Sequence, residues 1–162
     1  MSISRKIPIV LVLYITFVFV QSLFFKFTNS PETQYIFGTL NAWAVGLGLP
    51  EVFAPDGIAS QYVVGTAELV ASAVLLASLL PRLRGVRPLG ALLALGVISG
   101  AIFFHLFTPL GIAVVDTDGT SDGGLLFTMA CGVWISAASL LWIDRDLIRS
   151  ILPGSAKGRA IT

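Results

Sequence analysis

Four long apolar stretches, separated by short polar segments, dominate the hydrophobic pattern of the chain. Each stretch has about 19 or 20 residues, the length that an α-helix needs to cross a bilayer core about 30 Å thick. The sequence therefore predicts an all-α transmembrane antiparallel four-helix bundle, forming one domain over residues 1–150 with a flexible cytoplasmic tail over 151–162. The predicted spans are Ile7–Phe25, Tyr62–Leu80, Leu89–Phe107 and Gly124–Ile143.

The segment between the first two spans is predicted to contain a helix of its own, over about residues 31–48. Ser30 followed by Pro31 is typical of an N-cap and first helical position, and Pro50 would end the helix. We expect an amphipathic helix that lies on the outer membrane surface or caps the bundle. A lid over the bundle is at least as good an explanation as a binding role. Its apolar residues fall on one stripe: Ile36, Phe37, Leu40, Trp43, Ala44 and Leu47.

Basic residues collect in alternate segments, which predicts the direction of the spans. Segments rich in lysine and arginine stay in the cytoplasm. The opposite segments carry Lys26 as their basic residue, and the loop after the third span holds Asp116, Asp118 and Asp122 with no base. We therefore expect both termini in the cytoplasm. The basic residues on that side are Arg5, Lys6, Arg82, Arg84, Arg87, Arg145, Arg149, Lys157 and Arg159.

The first span follows basic residues, as a secretory signal peptide does. Its exit, from Gln21 to Lys26, offers no A-x-A-like cleavage site, so we interpret it as a membrane anchor. Close packing of the spans is expected to come from small residues, because lipid gives helices no hydrophobic reason to associate. Candidates are Gly65, Ala71, Ser72, Gly96, Ser99, Gly100, Ala101, Gly124, Thr128, Cys131 and Gly132.

Composition agrees with a membrane protein and narrows the chemistry. The chain is 56% hydrophobic and 12% charged, against about 25% charged residues in soluble domains. A net charge of +1 gives no reason to expect a nucleic acid partner. A single cysteine, Cys131, excludes a disulfide framework or CxxC chemistry, and a single histidine excludes bis-His haem ligation. We expect no intrinsic cofactor, and Cys131 as a small packing residue.

The acidic turn over residues 116–124 is similar at first sight to a calcium-binding loop. It fails the spacing of an EF-hand loop, since Phe127 stands where the closing glutamate should be. We interpret it as a solvated turn and expect no metal.

Four polar residues interrupt the apolar spans: Gln21, Lys26, Glu68 and His105. At about 1.5 Å per residue, Glu68 lies roughly 9 Å inside the outer end of its span and Gln21 about 7–8 Å inside its own. His105 lies close to the outer end of the third span. Three helices would thus deliver polar side chains to the outer third of the membrane.

Ionisable side chains in a span usually face the bundle interior and pair, so we expect Glu68 to face inward with His105, Lys26 or Gln21 as its partner. Such a cluster either binds a ligand and handles protons, or simply fixes helix register. No catalytic residue is assigned. Thr66, Thr108 and Asp122 are secondary candidates.

Several short motifs follow one another in a fixed order along the chain. Phe25-Lys26 precedes Ser30-Pro31-Glu32, and the second span carries Gly65-Thr66-Ala67-Glu68-Leu69. The third span ends on Gly100-Ala101-Ile102-Phe103-Phe104-His105-Leu106, and Asp-Gly-Gly-x-Leu-Phe follows from Asp122. In order and spacing these motifs resemble the DoxX-like family of small four-helix integral membrane proteins, from Ile7 to Ile143. The resemblance marks Lys26, Glu68 and His105 as the characteristic positions.

The resemblance implies a broad range of functions. Relatives include a subunit of a thiosulfate:quinone oxidoreductase, bacterial proteins that gather oxidoreductases at the membrane, and eukaryotic assembly chaperones. We therefore expect a multi-pass protein of the bacterial inner membrane that acts as a non-catalytic partner, recruiting or assembling membrane redox proteins or other membrane proteins. A homo-oligomer is a further expectation that the sequence leaves open.

The alternative function is a quinone- or small-molecule-binding oxidoreductase subunit. Glu68, His105 and Lys26 would then line a pocket for a quinone or a lipid near the outer leaflet. A small transporter or proton path is less expected, because the inner half of each span is nearly devoid of polar residues.

Overall fold

A computed structural model describes residues 3–115 and 119–151, with residues 3–5 and 151 described by their backbone alone. The predicted tail beyond residue 151 and the acidic residues Asp116 and Asp118 lie outside this part of the chain. The described chain is all-helical, apart from one isolated bridge between Val115 and Ser121. Its elements are α1 (Ile3–Phe27), α2 (Pro31–Gly46), α3 (Gln61–Ala77), a 3₁₀ helix (Pro81–Val86), α4 (Arg87–Phe107), α5 (Leu125–Ile143) and α6 (Arg145–Ile151).

Three of the predicted spans correspond to helices long and apolar enough to cross a membrane. They are Lys6–Phe27, Pro81–Phe107 (the 3₁₀ helix with α4) and Leu125–Ile143. The predicted span 62–80 is shorter than expected, because α3 is an apolar helix of 17 residues that ends at Ala77. Proline disfavours helical backbone at the residue before it, and Leu80, which precedes Pro81, is extended at φ −71° and ψ 132°.

The four long helices enclose one apolar core. α1 packs against α3 and α5, and α4 packs against the same two helices. The end of α1 lies beside the start of α3, where a Cβ built on Gly65 would lie 3.5 Å from the side chains of Leu23 and Phe27. We call this end of the helices the α2 end, and the end where α4 begins the arginine end. Fully buried core residues include Val12, Ile15, Phe19, Leu75, Val133 and Leu140.

Small residues bring the helices close, although not all at the predicted positions. Gly132 lies against the hydroxyl of Tyr14, and Gly90 lies against Leu75, so a Cβ at either position would require the neighbouring residue to shift. Gly96 and Gly100 instead face open space, with nothing within 4 Å of a Cβ built there. The prediction that Gly96 and Gly100 pack within the chain is wrong. The small residues that α4 buries are Gly90, Ala91 and Ala94.

α2 belongs to a cap over the α2 end of the helices, which we define as α2 with the segments 48–60 and 108–115. Ser30 accepts a hydrogen bond from the Thr33 amide (3.3 Å) at the predicted N-cap. The cap has an apolar core of its own, into which Phe104 of α4 inserts against Phe53, with ring centroids 5.2 Å apart. α2 thus covers this end of the helices, and its placement at an outer membrane surface stays a prediction. The buried members of the cap core are Leu40, Ala44, Phe53, Leu110 and Val114.

Candidate functional site

α1 and α3 bring Lys26 and Glu68 together at the α2 end. The Lys26 Nζ lies 3.1 Å from both carboxylate oxygens of Glu68 and also donates to the hydroxyl of Ser22. The Glu68 side chain is 7% exposed and that of Lys26 is 13% exposed. A buried carboxylate is tolerated only when it is paired and hydrogen-bonded, and this arrangement supplies both. The prediction that Glu68 faces inward and pairs is confirmed, with Lys26 as its partner.

A tight corner between α1 and α2 fixes the position of Lys26. Asn29 adopts the left-handed conformation (φ 52°), and the Ser30 amide donates to the Phe25 carbonyl at 3.1 Å, as at many helix C-termini. Gln61, the first residue of α3, donates from Nε2 to the Lys26 carbonyl (3.0 Å) and to the Asn29 side chain (2.9 Å). The start of α3 is thereby tied to the end of α1. Sequence reasoning missed Asn29 and Gln61, although the Asn-Ser-Pro run indicated a helix junction.

Gln21 does not join this cluster. Its side chain is exposed, whereas that of Ser22, the next residue, is half-buried and meets Lys26. One residue rotates a helix by about 100°, so residues at almost the same depth face different neighbours. The expectation that Gln21 contributes to the polar cluster is therefore wrong, and Ser22 holds the position expected for it.

His105 lies at a second polar site, separate from Glu68. It is 8% exposed in the last turn of α4, with its Nδ1 2.7 Å from the Gly111 carbonyl. Because a carbonyl only accepts, Nδ1 carries the proton and donates. The ring also contacts Phe127 edge-on, with centroids 5.7 Å apart. Among the described residues, no hydrogen bond or ion pair joins His105 to Glu68. The polar side chains that were expected to form one cluster therefore lie at two separate sites.

Asp122 accompanies His105 and caps α5. Its Oδ1 accepts from the amides of Val114 (2.8 Å) and Gly124 (2.9 Å), and its Oδ2 accepts from that of Leu126 (3.0 Å). Burial opposes ionisation, but these amides together with the charge of His105 outweigh it and lower the pKa of Asp122 below its ordinary value. The carboxylate thus links the cap to the N-terminus of α5.

The other secondary candidates serve their own helices. Thr66 is exposed and donates to the Tyr62 carbonyl at 2.7 Å, one turn earlier. Thr108 donates to the Phe104 carbonyl at 2.6 Å. Neither hydroxyl is hydrogen-bonded to Glu68 or His105 in the part of the chain that the structure describes.

A second buried ion pair at the arginine end went unnoticed in the sequence. Arg87, the first residue of α4, donates from Nε to Asp144 Oδ2 at 2.7 Å and from Nη2 to Oδ1. The Arg87 side chain is 14% exposed and that of Asp144, which follows α5, is 6% exposed. In the sequence, Arg87 indicated only the orientation of the spans. An acidic residue directly after an apolar span, next to a basic residue, was the available clue.

Two surface grooves are mainly apolar, and no Asp, Glu, Lys, Arg or His side chain lines either of them. One, of about 480 Å³, lies between α3 and α4, and another, of about 300 Å³, lies between α4 and α5 beside Cys131 and Trp134. Neither is lined by Glu68 or His105. Within the residues described, no three His, Cys, Asp or Glu side chains gather as a metal site requires. The first groove is lined by Tyr62, Val63, Thr66, Ala67, Val70 and Leu93.

Comparisons with models of protein families, with curated proteins and with solved structures find no match for this chain. The resemblance to the DoxX-like family therefore rests on the motifs in the sequence and stays a prediction. What the structure adds is the pairing of each buried ionisable side chain.

Proposed function

We propose that the chain crosses a bilayer four times, with α1, α3, α4 and α5 as an antiparallel bundle and both termini in the cytoplasm. α3, at 17 residues, is about 26 Å long, and Ser78, Leu79 and Leu80 extend its apolar stretch. It packs against two other long helices and exposes apolar side chains such as Val63 and Val70, as a lipid-facing helix does. The basic residues at the arginine end support the orientation.

Within this topology the chain acts as a non-catalytic partner that recruits or helps to assemble redox proteins in the bacterial inner membrane. The redox partners and the compartment follow from the DoxX-like resemblance. The proposal that the chain is non-catalytic rests on one observation in the structure, the pairing of Glu68 with Lys26.

Glu68 is paired within its own chain. Both of its carboxylate oxygens accept from the Lys26 Nζ at 3.1 Å, and the Ser22 hydroxyl accepts from the same lysine. A carboxylate that handles a substrate proton would be expected to face a cavity, with the substrate in hydrogen-bond reach. Here the pair fills the contact between α1 and α3, where its geometry fixes the register of the two helices.

The chain presents apolar helix faces to other molecules in the membrane. Phe17 and Phe24 on α1 are 64% and 67% exposed, and Phe107 on α4 is 66% exposed. Such faces suit lipid tails and the helices of other membrane proteins, which associate by close packing rather than by charge. This distribution favours a partner role over chemistry within the chain.

Cross-linking in native membranes followed by purification of the tagged chain tests the proposal. We expect other membrane proteins bearing haem or flavin absorbance to be captured, and their yield to fall when untagged chain is co-expressed in excess. Recovery of this chain alone, as a homo-oligomer with neither absorbance, would contradict a role in recruiting redox proteins.

The quinone-subunit alternative has less support, because Glu68 and His105 occupy separate sites. It makes a distinct prediction for Glu68→Gln. If that variant lost quinone-dependent activity of the membranes while its thermal unfolding midpoint stayed unchanged, the alternative would replace the proposal. We expect instead that the midpoint falls and that any effect on membrane redox activity follows the amount of folded protein.

A further inference from the structure

Three exposed arginines at the arginine end, Arg82, Arg84 and Arg145, make no ion pair with another described residue. Arg82 and Arg84 lie on the 3₁₀ helix, and neither of their side chains makes a hydrogen bond with another described residue. Arg145, the first residue of α6, has its guanidinium 4.7 Å from the centre of the Trp142 ring, and its Nη1 donates to the Trp142 carbonyl at 3.3 Å. Two other arginines at this end are neutralised, Arg87 by Asp144 and Arg149 by Asp146.

The buried Arg87–Asp144 pair joins the two segments that carry these arginines. Arg84 precedes Arg87 by three residues, about 6 Å along a 3₁₀ helix, and the Arg87 amide donates to the Arg84 carbonyl. Arg145 directly follows Asp144 in the chain. The ion pair therefore joins the 3₁₀ helix to the junction of α5 and α6, with Arg84 three residues from Arg87 and Arg145 next to Asp144 in the chain.

Exposed apolar side chains lie directly beside the arginines. Leu80 and Leu83 flank Arg82 in sequence and are 57% and 41% exposed, and Trp142, which is 69% exposed, lies under Arg145. Guanidinium groups bind phosphate oxygens through paired hydrogen bonds. Leucine side chains contact lipid acyl chains, and tryptophan favours the membrane–water interface. A charged headgroup joined to apolar tails meets both requirements in a single molecule, whereas a free phosphate uses the arginines alone.

From this juxtaposition we infer that Arg82, Arg84 and Arg145 form a binding site for the headgroup of an anionic phospholipid. The lipid's phosphate lies between the 3₁₀ helix and the start of α6, and its tails lie along Leu80 and Leu83. The site is independent of the proposed partner role, since it concerns the opposite end of the helices from Glu68.

Native mass spectrometry of the full chain in neutral detergent tests the site, with phosphatidylglycerol and phosphatidylcholine as probes. We expect phosphatidylglycerol to bind more tightly than phosphatidylcholine. Each basic residue near an anionic surface contributes about fivefold in affinity, so the double variant Arg82→Gln/Arg84→Gln should bind phosphatidylglycerol about twenty-five-fold more weakly. The matched control is Arg149→Gln, which removes a charge that Asp146 already neutralises. It should change the affinity less than twofold.

Three results would overturn the inference. They are equal binding of the two lipids, an equal loss in Arg149→Gln and in the double variant, or full displacement of the lipid by glycerol phosphate at equal concentration. The last would show that the arginines take phosphate alone, without the apolar neighbours. Thermal unfolding of each variant is measured alongside, and a double variant that binds weakly at an unchanged midpoint supports the site directly.

Discussion

The two buried ion pairs lie at opposite ends of the helices and differ in what surrounds them. Lys26–Glu68 and Arg87–Asp144 have nearly equal exposure, with side chains 13% and 7% exposed in one and 14% and 6% in the other. Glu68 lies two turns inside α3, whereas Arg87 begins α4 and Asp144 follows α5. Water can reach a charge at a helix end after its partner is lost, but not one inside an apolar layer. The depth of each pair along its helices, more than its exposed fraction, should therefore determine how much it contributes to the free energy of unfolding.

The largest effect is expected for Lys26→Met. This change leaves the Glu68 carboxylate buried without its cation, which should lower the free energy of unfolding by about 3–5 kcal/mol. Chemical unfolding in mild detergent micelles measures it. Lys6→Met, at an exposed lysine of the same helix, is the control and should stay within about 0.5 kcal/mol. Similar losses in the two variants would show that Lys26 is not a buried partner.

A smaller loss is expected at the arginine end. Asp144→Asn keeps the shape of the side chain and removes its charge, and water at the helix ends can then solvate the Arg87 guanidinium. We expect the free energy of unfolding to fall by about 1.5–3 kcal/mol in the same unfolding measurement. A loss of stability equal to or greater than that of Lys26→Met would contradict the claim that depth determines the contribution of each pair.

Acid should weaken the α2 end through Asp122. Because its pKa is lowered in the folded protein, the stability contributed by Asp122 is fully present above its ordinary pKa of about 3.9 and is lost as the pH falls through the folded value. The difference in unfolding midpoint between the unaltered chain and Asp122→Asn should therefore be constant from pH 7 to about pH 5 and shrink below about pH 4. A difference that keeps its size in acid would contradict this linkage.

The smallest effects distinguish the two adjacent residues Gln21 and Ser22. Ser22→Ala removes the hydroxyl that accepts from Lys26 and should destabilise the chain by about 1 kcal/mol. Gln21→Ala, at an exposed position, should change stability by less than about 0.5 kcal/mol. Thermal unfolding of the two variants side by side measures the difference. The reverse order would restore Gln21 to the polar cluster.

The sequence was informative wherever one strong physical requirement acted alone. A carboxylate in an apolar helix must pair, and the chain offers few polar side chains at that depth, so Lys26 could be named in advance as one of three candidate partners of Glu68, beside His105 and Gln21. Helix length was less certain, because the apolar composition continues to Leu80 while Pro81 ends helical backbone before it.

Prediction was weaker wherever the answer depends on which face of a helix meets which neighbour. Gln21 and Ser22 differ little in depth, and only the packed helices show which of them reaches Lys26. Gly96 and Gly100 have the spacing of a packing motif, yet spacing does not say whether a partner helix lies opposite. Asp144 was missed because charges were counted for orientation, and a count contains no information on pairs.

A double-mutant cycle on Lys26 and Glu68 tests the central claim most directly, that their ion pair is a closed structural contact rather than an open ligand site. The cycle compares Lys26→Met, Glu68→Met and the double variant by chemical unfolding in detergent. We predict a coupling of about 2–3 kcal/mol, with the double variant more stable than Lys26→Met because no buried charge remains unpaired. Strictly additive losses, with no coupling, would show that Glu68 is free of Lys26 and would contradict the account.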